Sequence, residues 1–290
     1  MQVDEKTGNE IHVSMEEVHA YGFATFGCDV KLKVTIPEIA GRRKASKTVY
    51  HHGCGTNSHM VWEHFDRLYC ISVKERDDRR TRARTEFEKV GLSQRVEFVL
   101  VDKHPTNPEQ GIYESHLICM QKGIQAGAKT IAIFEDDVAF DRFDPEDLRR
   151  CAEFLSYTPE WKMCHFGCLV KRSFRTECPS VRRIRYRALT HAYVIHRPFA
   201  EALSPKPWQG IPYDDFLKAF HEDVYVIHPT FGFQSDSPSD NDKWQGVESF
   251  RKLIGGLRRI QRMNEFYHCH RTLIIAAHVA LALIALSRIL

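Results

Sequence analysis

The sequence predicts an α/β domain built on a mixed, mostly parallel sheet with flanking helices. Two observations lead there. Between residues 65 and 140, apolar runs of strand length alternate with segments of helical periodicity. Strands separated by helices of that length form βαβ units, which set successive strands parallel and cover both faces of the sheet. The bulk composition agrees: 290 residues, 43% hydrophobic and 27% charged, describe a globular chain long enough to bury a sizeable core.

Residues 1 to 64 read as a β-rich extension. Val30 to Ile36 alternates strictly in polarity until Pro37, Tyr21 to Gly27 is its expected hairpin partner, and a basic GRRKASK loop follows. The central domain is expected over residues 65 to 247. It opens with a strand at Arg67 to Val73, then a helix over Arg80 to Val90 with Phe87 and Val90 facing inward, and a second strand at Val96 to Val101. A helix over Glu114 to Ala126 carries Leu117, Met120 and Ile124 on one stripe, and Thr130 to Phe134 is the third strand. Later strands are expected at Lys162 to Phe166, Ala192 to His196 and Val224 to His228.

Residues 248 to 290 read as a helical tail. Phe250, Leu253, Ile254, Leu257, Ile260 and Met263 approximate one helical face, and Arg251, Lys252, Arg258, Arg259 and Arg262 supply the other, a basic amphipathic pattern. Thr272 to Leu286 is then apolar apart from His278, although shorter than the run of about 20 residues that spans a bilayer unaided. Two readings stand side by side: a last helix completing the core, or an anchor on a membrane surface with the basic cluster on its cytoplasmic side. Together the two signals favour the membrane.

Other classes recede. A net charge of +3 arises from 41 basic and 38 acidic residues, interleaved through most of the core, so a nucleic-acid partner is not expected. The nine cysteines are scattered without a CxxC pair, which fits a reducing compartment. Cys164, His165 and Cys168, like His268, Cys269 and His270, lack the second ligand pair a structural zinc site needs. With a polar N-terminus that has no apolar signal core, a cytoplasmic protein held peripherally on the membrane is the expectation.

The chemistry concentrates in IAIFEDDVAFD, where an apolar strand runs straight into Glu135, Asp136 and Asp137. In open α/β sheets ligands bind beyond the carboxyl ends of strands. Adjacent carboxylates there repel one another unless a cation bridges them, and hard oxygen ligands suit Mg²⁺ or Mn²⁺. Such an ion can grip a diphosphate and neutralise the charge that builds as it leaves. The alternative is a solvated acidic turn. Near the end of the first strand, Arg76, Arg79 and Arg80 offer guanidinium groups that can pair with phosphates; Asp77 and Asp78 alternatively mark a charged first turn of a helix.

FDRLYCISVKERDDRR, GIYESHL, TIAIFEDDVAF, LTHAYVIHR and IPYDDFL, in this order and at these distances, resemble glycosyltransferase family 25, the group of bacterial lipooligosaccharide sugar transferases and collagen galactosyltransferases. The resemblance covers about residues 65 to 240. It implies a GT-A fold, a nucleotide-sugar donor such as UDP-galactose or UDP-glucose, a glycan, glycolipid or protein acceptor, and inversion at the anomeric carbon. Position by position, Glu135, Asp136 and Asp137 match the acidic motif that would hold Mn²⁺ and the donor diphosphate. Arg76 and Arg79 match the basic residues after the first strand, and Gly111, Ser115 and His116 match the Gly-to-Ser-His segment. Ser72 falls at the nucleoside-contacting position, where many members have Asn. His191 lies in the segment before a late strand, where it could face donor or acceptor; a satisfied structural histidine is its alternative role. Gln234, Asp236 and Asp240 fall where the family closes its core. An inverting transfer also needs a carboxylate to accept the proton of the attacking hydroxyl, for which Asp214 and Asp215 are the candidates; helix capping is their alternative role. A catalytically inactive member that binds sugar or a partner is the competing expectation for the whole chain.

Overall fold

A computed structural model describes residues 32–34, 47–49, 60–235 and 255–288. The chain divides into two units, Met1–Thr56 and Asn57–Leu290. In the first, strand β1 (Leu32–Val34) pairs antiparallel with β2 (Lys47–Val49), Leu32 opposite Val49. The expected strand at Val30 to Ile36 thus takes a partner from beyond the basic loop. Its expected partner, Tyr21 to Gly27, lies outside the described residues.

The second unit is built on an eight-stranded sheet. In chain order its strands are β3 (Arg67–Val73), β4 (Val96–Val101), β5 (Thr130–Glu135), β7 (Met163–His165), β8 (Leu169–Arg175), β9 (Val181–Ala188), β10 (Ala192–His196) and β11 (Val224–Ile227). Across the sheet the order is β4-β3-β5-β10-β7-β11-β9-β8. The pairings leave only β10 and β9 running against the other six strands, so the mixed, mostly parallel sheet is as expected. A small second sheet pairs β6 (Val138–Phe140) with β12 (Gly232–Gln234).

Alternation along the central strands makes two cores. Cys70, Ala132, Phe134, Cys164 and Val194 face one side, with α1 (Asp77–Lys89) and α3 (Pro145–Tyr157) over them. Tyr69, Ile131, Ile133, Met163, Tyr193 and Ile195 face the other, beneath α2 (Pro108–Gln125), α4 (Arg197–Leu203) and α5 (Tyr213–Leu217). Helix α2 starts earlier than its apolar stripe suggested, because Asn107 caps it by accepting from the Glu109 N–H at 3.2 Å and Pro108 occupies the first position.

The boundary expected at residue 64 is corrected. A short 3-10 turn over Met60–His64 belongs to the second unit, because Trp62 is fully buried there, stacked on Phe143 and meeting Phe134, Phe166 and Phe231 edge-on. Its indole N–H donates to the Val90 carbonyl at 2.8 Å. Trp62→Ala should therefore cost about 3–5 kcal/mol of unfolding free energy in chemical denaturation. An unchanged midpoint would place the turn outside the core.

The tail forms one helix, α6 (Gly256–Ser287), in which Leu257 and Ile260 are half-buried and Arg259 and Arg262 exposed. The described part touches the body through polar groups: Gln261 Nε2 donates to the Gly232 carbonyl at 2.7 Å, Asn264 brackets the Val170 backbone, and Glu265 accepts from Arg142 and Thr230. Arg262 pairs with Asp141, and Arg142, Arg258 and Arg262 all lie over the Phe233 ring at 5.4–5.7 Å. Met263, on the apolar face, is 60% exposed. Beyond it Leu273, Leu281 and Leu283 are wholly on the surface, so this stretch is not a core helix. The 32-residue helix is long and apolar enough to cross a membrane.

Candidate functional site

From β3 the chain first passes outward to β4, then returns across β3 to form β5 on its other side. The carboxyl ends of β3 and β5 therefore flank a topological switch point, the place where open α/β sheets bind ligands. A cleft opens there. Its walls are Ile71 to Val73, the Val101 to His104 segment after β4, Gly111, Ile112, Ser115 and His116 on α2, and Arg79, with Glu135 to Asp137 and Gln234 closing it.

Each carboxylate has its own hydrogen-bond donors, with Arg79 lying 3.2 Å from Asp136 and 4.0 Å from Asp137, which is how three adjacent acids coexist. Glu135 ends β5, and Asp136 and Asp137 turn the chain into β6. The Ser72 hydroxyl donates to Asp136 Oδ2 at 2.7 Å, and an Arg79 guanidinium nitrogen donates to Oδ1 at 3.2 Å. Burial raises the Asp136 pKa, and these two donors only partly offset it. Asp137 accepts from Gln234 Nε2 at 2.9 Å, while its backbone carbonyl accepts from the Ser235 N–H at 2.8 Å. Its second oxygen, Oδ1, is buried with no hydrogen-bond partner. Burial and the neighbouring Glu135 charge push the Asp137 pKa up to about 7. Glu135 behaves oppositely. Burial acts to raise it, but His116, His191 and the Thr190 hydroxyl, donating at 3.0 Å, outweigh that and hold it below its ordinary range.

A buried carboxylate with one open oxygen and a raised pKa is a group that a cation would relieve. Among the described residues no three His, Cys, Asp or Glu side chains converge into a ready metal cage. The donor set fits instead an ion held by a single carboxylate and completed by phosphate oxygens, a common arrangement for small divalent cations. Asp137 is the ligand this geometry leaves open; both oxygens of Asp136 are engaged, and Glu135 is held by Thr190 and lies 3.5 Å from His116 Nε2.

Of the residues singled out from sequence, Ser72, Arg79, Gly111, Ser115, His116, Glu135, Asp136 and Asp137 share this cleft. Their tasks differ. Gly111 permits close approach, since a Cβ there would sit 2.8 Å from His104 Cβ. Ser115 turns its hydroxyl back onto the Gly111 carbonyl at 2.6 Å. His116 is fully buried, stacked on Tyr213 with ring centres 4.2 Å apart and its Nδ1 3.0 Å from the Tyr193 hydroxyl. Arg76 stands outside the cleft lining and grips Asp78 at 2.9 Å. His191 also lies outside it: the Glu135 N–H donates to its carbonyl at 2.9 Å, and burial lowers its pKa.

Neither Asp214 nor Asp215 lines the cleft. Asp215 is half-exposed and pairs with Lys218. Asp214 is held in the first turn of α5, accepting from the Tyr186 hydroxyl and, at 3.1 Å, from the Leu189 N–H; burial raises its pKa. Thr190 stands between Glu135 and Asp214 and touches both. Sequence reading placed Thr190 and Tyr193 only within the LTHAYVIHR segment, without a role, and missed Tyr186, because nothing local marks a buried hydroxyl. The loop after β4 could have been found, since it follows a second parallel strand at the same edge. Asp236 and Asp240 lie outside the described residues.

No family model matches the chain, and no curated protein matches it either. The family-25 resemblance therefore stands on the motifs alone. Among solved structures, A197 from STIV overlaps 58% of this chain and 85% of its own, at 13% identity and a TM-score of 0.39. A protein described as mannose-1-phosphate geranyltransferase from Thermus thermophilus overlaps 57% of this chain and 74% of its own, at 10% identity and a TM-score of 0.39. A glycosyltransferase involved in glycosylation of the major capsid of PBCV-1 overlaps 55% and 80%, at 11% identity and a TM-score of 0.35. Overlaps this distant assign no chemistry to the chain.

Proposed function

We propose that the chain transfers a hexose, galactose or glucose by preference, from a UDP-sugar to a hydroxyl of a glycan, glycolipid or protein acceptor, with inversion. The observation that carries this reading is Asp137, buried at the switch point with one oxygen open and a pKa near neutrality. The five motifs resembling glycosyltransferase family 25 supply the donor class. Mn²⁺ or Mg²⁺, when bound, would supply charge neutralisation for a departing nucleoside diphosphate. Among the protein's own groups, Asp137 would hold that ion, Ser72 and Gln234 orient the carboxylates, and Arg79 places positive charge beside them. The base is assigned to Asp214. Burial raises its pKa, which strengthens it as a proton acceptor, and through Thr190 it is one side chain removed from Glu135. The exposed half of α6 would hold the enzyme on the cytoplasmic membrane surface, close to a lipid-linked acceptor.

Calorimetry with UDP-galactose, UDP-glucose, UDP-N-acetylglucosamine and GDP-mannose, with and without Mn²⁺, tests the donor assignment. Metal-dependent binding of one UDP-sugar is expected. No binding by a folded protein would favour the inactive, sugar- or partner-binding reading, for which the Arg79 contact already neutralising Asp136 is the supporting feature. Asp214→Asn should leave donor binding intact and lower the transfer rate by about 10²–10⁴-fold, with Asp215→Asn close to wild type. The reverse ranking would move the base to Asp215.

A further inference from the structure

From Lys171 to Arg187 the chain carries seven basic residues, Lys171, Arg172, Arg175, Arg182, Arg183, Arg185 and Arg187, against one acid, Glu177. They lie on β8 and β9, the hairpin that closes one edge of the sheet. Register sets like charges face to face, Arg172 opposite Arg185 and Arg175 opposite Arg182. Directly opposed like charges destabilise a ladder. Ordinary proteins relieve such pairs with carboxylates, yet among the described residues none of the seven has a carboxylate within 4.0 Å. All but Arg182 are exposed, and Arg183 is spread over the Phe174 ring at 5.5 Å. Three register steps separate Arg172–Arg185 from Arg175–Arg182, so the hairpin carries positive charge on both faces, with no carboxylate within 4.0 Å among the described residues.

The position of the hairpin selects the anion. Asn264 of α6 accepts from the Val170 N–H at 2.9 Å and donates to its carbonyl at 3.1 Å, fixing the hairpin to the helix. Ser173 and Arg182 share a small cavity with His268 and Cys269. Thr272, where the exposed apolar stretch begins, is about one turn further, roughly 6 Å along the axis. Arg182 thus brings the basic hairpin to within about one helical turn of the bare apolar surface, an arrangement that suits headgroup phosphates beside hydrocarbon. A nucleic acid would use the first of these features and leave the second unexplained.

We infer that the β8–β9 hairpin is a docking surface for anionic phospholipid headgroups, acting beside α6 to fix how the protein sits on a bilayer. This rests on the membrane reading of α6, and the test separates the two. Full-length protein is sedimented with phosphatidylcholine vesicles and with vesicles of two parts phosphatidylcholine to one part phosphatidylglycerol. Wild type is expected to bind the anionic vesicles more tightly, with the preference collapsing in high salt. In Arg172→Ser/Arg185→Ser/Arg187→Ser the preference should fall about five-fold per charge, on the order of 100-fold in all, while binding to neutral vesicles stays unchanged. Removing opposed charges should leave the melting temperature equal or higher, which confirms that the variant is folded. Loss of neutral binding alone, with the anionic preference kept, would remove the anchor role of α6 and uphold the hairpin. A wild type indifferent to lipid charge, a triple variant with undiminished preference, or tighter binding to single-stranded RNA than to anionic vesicles would each overturn the inference.

Discussion

Asp137→Asn is expected to remove both metal-dependent donor binding and the pH dependence of stability near neutrality. The wild-type carboxylate has its pKa raised from 3.8 to about 7 by burial and by Glu135. A raised carboxyl pKa means that the folded state holds the proton more tightly than the unfolded chain. Its contribution is therefore fully present below about pH 4 and is lost as pH rises through about 7. Without a divalent ion, the melting temperature should fall across that window by the equivalent of a few kcal/mol, since each tenfold difference in proton affinity is worth about 1.4 kcal/mol. Added Mn²⁺ should raise it much more at pH 8 than at pH 5, because the ion competes with the proton for the same oxygen. The amide variant should show neither the decline nor the metal-induced rise. Its transfer rate should drop by about 10²–10³-fold, the scale for losing one charge-stabilising group. Thermal melts of both proteins at the two pH values, with and without Mn²⁺, decide the matter. Equal metal stabilisation of the variant would remove Asp137 from the site.

The largest expected loss of stability comes from Gly167→Ala. A Cβ at this position would overlap the Gly232 carbonyl oxygen, and the Gln261 amide lies 2.5 Å from the same point. Backbone on one side leaves little room to yield. Both the Phe231 and Gly232 N–H groups donate to the Phe166 carbonyl at 3.0 Å, so the two segments cannot separate without breaking that pair. Unfolding free energy should drop by about 3 kcal/mol or more. Gly127→Ala, with open space around its Cβ but a φ of 75°, is the comparison, costing about 1 kcal/mol through backbone strain alone. Comparable losses in the two variants would show that the Gly167 junction relaxes.

Much of the sheet was legible because its central strands are apolar on both faces, which gives short apolar runs such as TIAIF. Phe87, Val90, Leu117 and Met120 are buried as their helical spacing implied. The β8–β9 hairpin was not legible. Arginine occupies the positions between Val181, Ile184 and Tyr186, and the register shifts near Leu169 and Val170 break the alternation that marks a strand. Trp62 was missed for a different reason: its partners come from elements up to Phe231, so no window of sequence contains its burial. The same holds in the site. Glu135, Asp136 and Asp137 were visible because they follow a strand, and Gln234 by its place in FQSD. What holds Glu135 and Asp214, namely Thr190, Tyr186 and the Leu189 N–H, comes together only through tertiary packing. The helical tail was legible, but its polar docking contacts were not, because helical periodicity finds only apolar faces.

Strand β12 is three residues long and is held at both ends. At one, the Gly232 carbonyl takes the Gln261 amide of α6; at the other, Gln234 grips Asp137. Helix and carboxylate thus pull on a single short lever, braced by β6 and, at Gly232, by the Phe166 carbonyl. Whatever seats or unseats the helix loads that lever directly, so the helix serves the cleft as a keel serves a rudder. Shortening the chain at its C-terminus would loosen the grip on Asp137 before it disturbed the main sheet.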